Sequence, residues 1–435
     1  MNYLLLEINE ADANDIYHVS TESYISLFLW RLLKAKNVKL KLVKTVTDHD
    51  LTIPINLGGI DKEIIEDDVV RALPMLQLDG CHNVIGLCSV LRGICRASKG
   101  SPTDALATQL LGFKENCLMS PSEVSLWTNF CEREMVECSK QLRRATGEIE
   151  FPIEMMKLET DLGNPVRVHN VYKVARDLKK DRSIKSGTEL NLEHKFCHAN
   201  DPNLSDVILY SIYKLIFSTS IDINDVSCTI PLTVKWFHNM QKENFLDDLT
   251  AKLSFEPVII SGEVPNVAGD GKYFSLLKRE LTGYKCKNRK IFTGQAEIDV
   301  AFEKLKTLDI EISSSPGDPY QDAIKDDFVY ELLHVGELPE SRLEKKKSQL
   351  KSLANEVLKI AKSGDVIVDF CSGTGHLGFL VAKLLPRCRV IVLENKEESI
   401  NRAKAKAEKL ELDNVTFYQC NLVSQREIMK RGKQL

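Results

Sequence analysis

The sequence lacks long apolar runs, and aromatic residues make up only 7% of its 435 positions. No run approaches the roughly 18 apolar residues that a membrane-spanning helix needs. The apolar stretch at residues 3–8 is followed by acidic residues, and it has neither the basic flank nor the small-residue cleavage site of a signal peptide. We therefore expect a soluble, intracellular protein that does not bind a membrane.

A Cys-x-x-Cys pair is also absent, although the chain has 12 cysteines, scattered from Cys81 to Cys420. Residues 194–198 contain two His and one Cys, but no second ligand pair follows at the spacing of a zinc finger. The pattern predicts free, mostly buried thiols that pack as small hydrophobic side chains, and no metal site.

Charged residues make up 28% and hydrophobic residues 43% of the chain, which excludes disordered and fibrous classes and predicts two or three domains. The charge is uneven. Residues 340–435 carry 19 Lys and Arg against 12 Asp and Glu, a net charge of +7 that leaves −11 for the rest. A basic block on an acidic body can favour an anionic partner such as RNA. From charge alone, a helical surface decorated with lysine is the commoner interpretation.

The first hundred residues predict alternating strands and helices. Residues 3–8 and 38–43 are predicted strands on either side of a helix at 24–34. Pro74 then opens a short strand that ends at the turn dipeptide Asp79-Gly80, and an apolar helix is predicted from Val84 to Cys95. From residue 101 the pattern becomes helical, and Asn203 with Asp206 forms an N-cap pair before a buried helix.

This order resembles cytosolic glutathione transferases, with a thioredoxin-like region at 1–100 and an all-α region at 101–245. In that family the proline that opens the strand is cis and exposes the preceding backbone to glutathione, and Pro74 and Leu73 match those positions. The family's acid-Ser anchor falls on Gly86 and Leu87, which offer no carboxylate or hydroxyl. Glutathione transfer is therefore not expected.

The hydroxyl or thiol that activates glutathione lies in that family near the start of the first helix. Ser20, Thr21 and Ser23 stand there in this chain. Ser and Thr at a helix start are more often N-caps, and we expect that role. Residues 246–335 are rich in Gly, Pro and Ser and are predicted to form an irregular linker.

The most informative segment runs from Asp365 to Gly378. A helix at 343–362 precedes it, and an apolar strand suited to burial on both sheet faces leads into a glycine turn and a further helix. Strands at 389–393 and 415–418 alternate with a helix at 397–410, which predicts a parallel, doubly wound sheet. Ligands of such sheets bind at the carboxyl ends of the strands, where Gly373, Gly375 and Glu394 fall.

Two cofactor classes compete for this turn. Residues 373–378 match the dinucleotide fingerprint GxGxxG, with Glu394 about 20 residues further on. However, Asp369 ends the first strand four residues before Gly373, where a carboxylate would repel a pyrophosphate. S-adenosylmethionine carries a sulfonium and an α-amino group, and an acid after the second strand can accept from both ribose hydroxyls. The sequence favours S-adenosylmethionine over a dinucleotide.

At these residues the chain resembles class I S-adenosylmethionine-dependent methyltransferases. The resemblance implies that Asp369 holds the methionine end at a turn shaped by Gly373, Gly375 and Gly378. Cys371 stands where a glycine is commonest. Glu394 matches the ribose-binding acid, and Asn421 matches the residue beside the adenine. With the transferase-like half, this pattern resembles the glutathione S-transferase C-terminal domain-containing protein family, which is regarded as cytoplasmic.

The sequence thus predicts an α/β multidomain protein: a thioredoxin-like plus all-α transferase-like region, then a partial Rossmann-like methyltransferase sheet at 336–435. Fourteen residues follow Asn421, whereas the resemblance implies further strands that pair with the far side of the first one. We expect a truncated chain with an exposed strand at 366–368, no identifiable catalytic residue and weak or no methyl transfer.

The expected function is an S-adenosylmethionine-dependent methyltransferase of unidentified substrate, for which RNA, a protein and a small molecule are the candidates. The alternative is a non-catalytic scaffold, built on a glutathione transferase-like fold that binds a protein partner through its transferase-like half.

Overall fold

The structure is a computed structural model of the full 435-residue chain. It describes residues 2–12, 15–44, 52–66, 72–78, 82–112, 127–128, 130–166, 174–176, 178, 187–190, 192–197, 200–243, 258–261, 295–307, 324, 326–334 and 340–420. Two compact units emerge: Met1–Leu277 with Leu393–Asn401 and Thr416–Leu435, and Lys278–Val392 with Arg402–Val415. Boundaries near residues 100, 245 and 335 stay predictions.

The strands and helices of the described residues are numbered in chain order. The strands are β1 (Asn2–Asp12), β2 (Ile16–Val19), β3 (Val38–Lys44), β4 (Ile53–Asn56), β5 (Lys62–Glu66), β6 (Met75–Leu78), β7 (His82–Ile85), β8 (Glu148–Glu150), β9 (Ile259–Ser261), β10 (Val366–Phe370), β11 (Arg389–Glu394) and β12 (Val415–Gln419). The α-helices are α1 (Thr21–Leu32), α2 (Leu87–Ala97), α3 (Asp104–Leu110), α4 (Val136–Arg144), α5 (Ile153–Leu162), α6 (Leu204–Thr219), α7 (Ile223–Val226), α8 (Pro231–Lys242), α9 (Gln295–Lys306), α10 (Asp326–His334), α11 (Glu340–Ile360), α12 (His376–Leu384) and α13 (Glu397–Lys409). The mixed α/β prediction is confirmed.

Strand β1 is the centre of the sheet in the first unit. It pairs with β3 in parallel and with β6 in antiparallel orientation, and β7 continues the sheet as the antiparallel partner of β6. Leu4 and Leu6 are fully buried, because this strand is covered on its helix-facing side by the apolar side chains of the core. Strands β2, β4 and β5, which the sequence did not indicate, extend the sheet.

The predicted helix from Val84 to Cys95 is wrong at its start. Val84 and Ile85 belong to β7, and the helix begins only at Leu87. Gly86 lies between them at a φ of 89°, a backbone conformation that only glycine adopts readily, so strand and helix meet at a sharp corner. Apolar residues without a polar break are compatible with a buried strand or a buried helix, which is why the pattern misplaced the boundary.

The expected cis bond before Pro74 and the expected N-cap of the first helix are present, but Ser20 alone is the cap, and Thr21 and Ser23 lie within α1. The Leu73–Pro74 peptide bond is cis. The Ser20 hydroxyl accepts a hydrogen bond of 3.2 Å from the Ser23 amide and caps α1. The Thr21 hydroxyl accepts from the Arg143 guanidinium at 2.6 Å, and the Ser23 hydroxyl accepts from the Glu7 amide at 3.3 Å. All three hydroxyl groups thus have structural partners.

The helical region is organised by Asp206, at the start of α6. The predicted N-cap pair is confirmed as a full capping box: Asn203 accepts from the Ser205 amide at 2.8 Å, and Asp206 accepts from the Asn203 amide at 2.9 Å. Asp206 also accepts from the Cys197 amide at 2.8 Å and from the Trp236 indole at 2.9 Å. One buried carboxylate therefore ties α6 to α8 and to the preceding segment.

A second buried carboxylate, that of Glu159, accepts hydrogen bonds from the first turn of helix α8. The first residue of α8 is Pro231, and Glu159 of α5 accepts from the amides of Leu232 at 3.0 Å and Thr233 at 2.8 Å. The Thr233 hydroxyl donates to the same carboxylate at 2.8 Å. Because the first amides of a helix have no partner within the helix, this contact stabilises α8 and fixes it to α5.

The segment from α11 to β12 matches the predicted βαβαβ order. Strand β11 lies between β10 and β12. The start of β11 meets the residue before β10, since the Arg389 amide donates to the Asp365 carbonyl at 3.0 Å. The end of β11 meets the end of β12, since the Cys420 amide donates to the Glu394 carbonyl at 3.1 Å. The beginnings of β10 and β11 thus lie side by side, as do the ends of β11 and β12, which is the arrangement of parallel strands.

Strand β10 is not buried on both faces, so that prediction is wrong. It lies at one end of the strand order, and Val366 and Val368 are 48% and 37% exposed. The exposed apolar edge that the sequence predicted at 366–368 is therefore present. The predicted irregular linker at 246–335 contains β9, α9 and α10, so it is not irregular throughout.

The described cysteines are free, and seven of the nine are buried, as predicted; Cys228 and Cys371 are exposed. Burial raises the pKa of the Cys95 and Cys138 thiols to about 12, so these thiols stay protonated and inert. In the part of the chain that the structure describes, no helix is long and apolar enough to cross a membrane.

Candidate functional site

The turn between β10 and α12 is built by residues with positive φ. Cys371, Gly373 and Gly375 have φ values of 54°, 59° and 81°. A side chain at Gly375 would meet the Phe379 ring at 2.5 Å, whereas a side chain at Gly373 would meet no atom within 4 Å. Gly375 is therefore required by packing. At Gly373 the turn is open on the side that a ligand could approach.

Cys371 is the one residue other than glycine in this turn with positive φ. Left-handed backbone costs about 1 kcal/mol for a side chain with a Cβ atom, which explains why glycine is the commonest residue at this position in the methyltransferases that the chain resembles. The Cys371 side chain is exposed. The turn therefore has its left-handed conformation at residue 371 although cysteine, and not glycine, stands there.

Asp369 points at the start of α12. Its Oδ2 accepts a hydrogen bond of 2.9 Å from the amide of Gly378, the third residue of that helix. A Cβ atom on Gly378 would lie 3.1 Å from this oxygen and 3.1 Å from Val392, so glycine allows the close approach. Partial burial raises the pKa of the Asp369 carboxyl, while the Gly378 amide and the positive charge of Lys346 oppose that rise.

Glu394 stands at the end of β11, where the sequence predicted it. Its Oε1 accepts from the amides of Asn395 and Lys396, both at 2.9 Å. These two bonds orient the carboxylate at the start of the connection to α13. Asn421, the predicted adenine contact, lies outside the described residues.

Two polar residues near the turn were not singled out by the sequence. His376 is the first residue of α12, and its Nδ1 lies 3.1 Å from the Thr374 hydroxyl. Its Nε2 lies 3.1 Å from the Nζ of Lys406, a side chain of α13 that is only 4% exposed. The Lys406 ammonium also donates to the Leu332 carbonyl at 3.2 Å.

A signal for Lys406 exists in the sequence. Residues 400, 403 and 407 form the buried stripe of α13, and Leu410 just after the helix continues it. Lys406 follows Ala403 by three positions, so it falls within the stripe. A lysine at such a position is buried or extends its ammonium group to a polar partner. Nothing in the spacing could identify His376 as that partner, because the two residues lie on different helices.

The described groups at this turn suit a ligand with a positive charge. Asp369 offers an ionisable carboxylate, and among the described residues a single donor, the Gly378 amide, reaches it. A desolvated carboxylate with one hydrogen bond gains from a nearby cation, because the cation offsets the lost hydration. An anionic pyrophosphate in contact with this carboxylate would have the opposite effect.

Comparison with known proteins gives the class of this region. Residues 361–430 match a family model described as "Methyltransferase domain". The matched residues include the glycine turn, Asp369 and Glu394. The region that follows α11 is therefore a methyltransferase-type domain.

The relatives cover nearly the whole chain. A glutathione S-transferase C-terminal domain-containing protein homolog of Drosophila melanogaster is 34% identical over 97% of this chain and 75% of its own length. The homolog of Drosophila pseudoobscura is 32% identical over the same shares. The human protein with this domain name is 26% identical over 97% of this chain and 77% of its own length. The chain belongs to the glutathione S-transferase C-terminal domain-containing protein family.

Solved structures overlap with shorter parts of the chain. A protein-L-isoaspartate O-methyltransferase shares 23% identity with a TM-score of 0.16, over 17% of this chain and 23% of its own. A methyltransferase of Aquifex aeolicus, described as dependent on S-adenosylmethionine (SAM), shares 25% identity with a TM-score of 0.14, over 17% and 46%. With TM-scores this low, the assignment depends on the family model and the relatives.

Proposed function

We propose that the protein binds S-adenosylmethionine and acts as a methyltransferase. The observation that carries the proposal is the half-buried carboxylate of Asp369, held at the glycine turn by the Gly378 amide. The match of residues 361–430 to a methyltransferase family model supports the same assignment.

Charge is the physical reason for this cofactor. The pKa of Asp369 is raised chiefly because burial disfavours its ionised form. A sulfonium or ammonium group near the carboxylate stabilises that ionised form, so binding and ionisation of Asp369 favour each other. A dinucleotide would bring a pyrophosphate, which binds to backbone amides at a helix start. At this turn the Asp369 carboxylate occupies the Gly378 amide and would repel the pyrophosphate.

In this proposal each residue has one role. Asp369 holds the methionine end, Gly373 leaves the turn open, and Gly375 and Gly378 allow the backbone to pack closely. Glu394 stays the predicted partner of the ribose hydroxyls, and Asn421 the predicted neighbour of the adenine. When bound, the cofactor supplies an electrophilic methyl group on a positively charged sulfur. The residues of the turn position it for a nucleophile of the substrate.

The direct test is isothermal titration calorimetry with S-adenosylmethionine, S-adenosylhomocysteine and NAD⁺. The informative variant is Asp369→Asn, because the amide oxygen can still accept from Gly378 while the negative charge is lost. We expect wild-type binding of S-adenosylmethionine and a loss of at least about tenfold in the variant, which is about 1.4 kcal/mol. Asp413→Asn is the control, since Asp413 is an exposed carboxylate in the turn after α13.

Each other result has a definite meaning. Binding of NAD⁺ without S-adenosylmethionine would establish the dinucleotide interpretation. Equal affinity of the wild type and Asp369→Asn would remove Asp369 from the site. No binding of any of the three compounds to the folded protein would favour a non-catalytic scaffold.

We also propose that the first hundred residues are thioredoxin-like and serve as a platform for a substrate or protein partner. The strand order β3-β1-β6-β7 supports this assignment, with β3 parallel to β1, β6 antiparallel to β1 and β7 antiparallel to β6. Glutathione transfer is not part of the proposal, because the hydroxyl groups near α1 have structural partners and Gly86 and Leu87 cannot anchor a charged group. A cytoplasmic location stays a prediction.

RNA is the substrate class that we propose for testing. Arg342 and Lys345 of α11 and Arg402 and Lys409 of α13 are exposed basic side chains. Filter binding of bulk RNA across a salt series would detect their contribution, because each phosphate contact steepens the salt dependence. We expect Arg342→Glu with Lys345→Glu to weaken binding and Lys36→Glu, an exposed lysine before β3, to leave it unchanged. No affinity at low salt would eliminate RNA.

A further inference from the structure

Lys406, His376 and Thr374 form a continuous polar chain that ends in the glycine turn. Lys406 Nζ lies 3.1 Å from His376 Nε2, and His376 Nδ1 lies 3.1 Å from Thr374 Oγ1. Lys406 is buried and has no ion pair with any described carboxylate. The proposed function does not use this chain of groups, although it connects α13 to the loop between Gly373 and Gly375.

The chemistry of the groups determines the direction of each hydrogen bond. An ammonium group has only donors, so His376 Nε2 must be the acceptor. A neutral imidazole with an acceptor at Nε2 carries its proton at Nδ1. The Nδ1–H then donates to the Thr374 oxygen, and the hydroxyl hydrogen of Thr374 must turn to another acceptor.

Burial supports these protonation states near neutral pH. It lowers the pKa of His376 to about 4, with the positive charges of Lys406 and Lys346 adding to the effect, so the imidazole is neutral. Burial also lowers the pKa of Lys406 to about 8, which leaves the ammonium as the main form at pH 7. Among the described residues, Lys346 of α11 and Asp369 of β10 are the other charged groups at this turn, and α10 presents the Leu332 carbonyl.

We propose that Lys406 is a positioning residue that acts through His376 to make the Thr374 hydroxyl a hydrogen-bond donor to the carboxylate of the cofactor's methionine end. The inference rests on the proposed binding of S-adenosylmethionine. It assigns the two charged ends of the amino-acid group to different sides of the turn, the ammonium to Asp369 and the carboxylate to Thr374. Without Lys406, the imidazole can carry its proton at Nε2 and accept at Nδ1 from the Thr374 hydroxyl. That hydroxyl would then no longer be available to donate to the cofactor's carboxylate.

The first measurement is the tautomer of His376 in the full chain, read from the ring ¹⁵N chemical shifts. We expect the Nδ1–H form in the wild type and a shift toward the Nε2–H form in Lys406→Met, which removes the ammonium but keeps most of the side-chain volume. Lys409→Met, an exposed lysine on the same helix, is the control and should leave the ring unchanged. An Nε2–H tautomer in the wild type would overturn the inference without any binding assay.

The second measurement compares S-adenosylmethionine with its decarboxylated analogue by calorimetry. We expect Lys406→Met and Thr374→Val each to weaken binding of S-adenosylmethionine by about tenfold and to leave the affinity for the analogue within about twofold. A merely structural role would weaken both ligands equally, and that result would contradict the inference. Thr374→Val keeps the test valid if Lys406→Met does not fold.

The two proposals fail in different ways. If the folded wild-type protein binds neither ligand, the proposed function fails and this inference fails with it. If the wild type binds S-adenosylmethionine and both variants bind it equally well, only the role of Lys406 and Thr374 is excluded.

Discussion

Asp206 and Asp369 both accept a hydrogen bond from a backbone amide at the start of a helix, and both have a pKa raised by burial. Asp206 is fully buried and accepts from the amides of Cys197 and Asn203 and from the Trp236 indole. Asp369 is half-buried and, within the described residues, accepts from one amide, that of Gly378. The first carboxylate is saturated by the protein itself, whereas the second has oxygen lone pairs left for a ligand.

This difference separates a structural acid from a binding acid. Hydrogen bonds to a carboxylate favour its ionised form, so three donors compensate Asp206 for lost hydration. The single donor to Asp369 offsets only part of the hydration that this carboxylate loses on burial, and a cationic ligand would stabilise its ionised form further. Counting donors in the tertiary structure distinguishes the two roles. The sequence shows only that Asp206 is an acid at a helix start and that Asp369 is an acid at the end of a strand.

Replacement of Asp206 by alanine should have the largest effect. It leaves the donors of Cys197, Asn203 and Trp236 buried without an acceptor, and we expect a loss of about 3–5 kcal/mol in the free energy of unfolding. Urea denaturation followed by circular dichroism would measure it. Asp225→Ala, an exposed acid on α7, is the control. A loss below about 1 kcal/mol would show that Asp206 does not organise the helical region.

Gly378→Ala tests how closely Asp369 is held. The new Cβ atom would lie 3.1 Å from the Asp369 carboxylate and 3.1 Å from Val392, so these groups must shift. We expect a loss of about 1–3 kcal/mol in the free energy of unfolding and weaker cofactor binding. Thermal unfolding and calorimetry on the same sample would measure both. Unchanged affinity would contradict the proposed position of Asp369.

The affinity for S-adenosylmethionine should depend on the ionisation of Asp369. Because burial raises the pKa of this carboxyl, the affinity should be constant above that pKa and fall about tenfold per pH unit below it, starting at a higher pH than for an exposed Asp. Calorimetry in a buffer series would show the decline. In Asp369→Asn the affinity should be low, and the part of the pH dependence that comes from residue 369 should be absent.

Asp369→Ala should change stability much less than Asp206→Ala. The variant loses one hydrogen bond to the start of α12 and also loses the cost of a partly desolvated charge, and these effects offset each other. We expect a change of less than about 1 kcal/mol in the free energy of unfolding without ligand. A loss as large as that of Asp206→Ala would identify Asp369 as a structural acid and remove the contrast between the two sites.

Cys371→Gly should have the smallest effect. Glycine relieves the left-handed backbone at a φ of 54° but gains more conformational freedom in the unfolded chain. We expect a change within about 1 kcal/mol, measured by thermal unfolding, and unaltered cofactor affinity. A large gain in affinity would show that Cys371 restricts the turn.

Predictions from the sequence pattern were most accurate for helices, strands and turns that are specified by neighbouring residues. The order from α11 to β12 was predicted to within a few residues, because the apolar periods of two and 3.6 residues and the glycine turn are encoded in neighbouring positions. The Asn203–Asp206 capping box was predicted for the same reason. Strands β2, β4 and β5 were missed, since short strands gain their stability from partners that are distant in the chain.

The sequence by itself determined the glycine turn, the acid before it and the helix starts at Ser20 and Asn203, because these depend on backbone conformation and on donors within a few residues. Only the tertiary structure decided that Asp206 receives the Trp236 indole and that Lys406 meets His376. Those features depend on which helices and strands become neighbours, and side chains 30 residues apart meet only after the chain has packed.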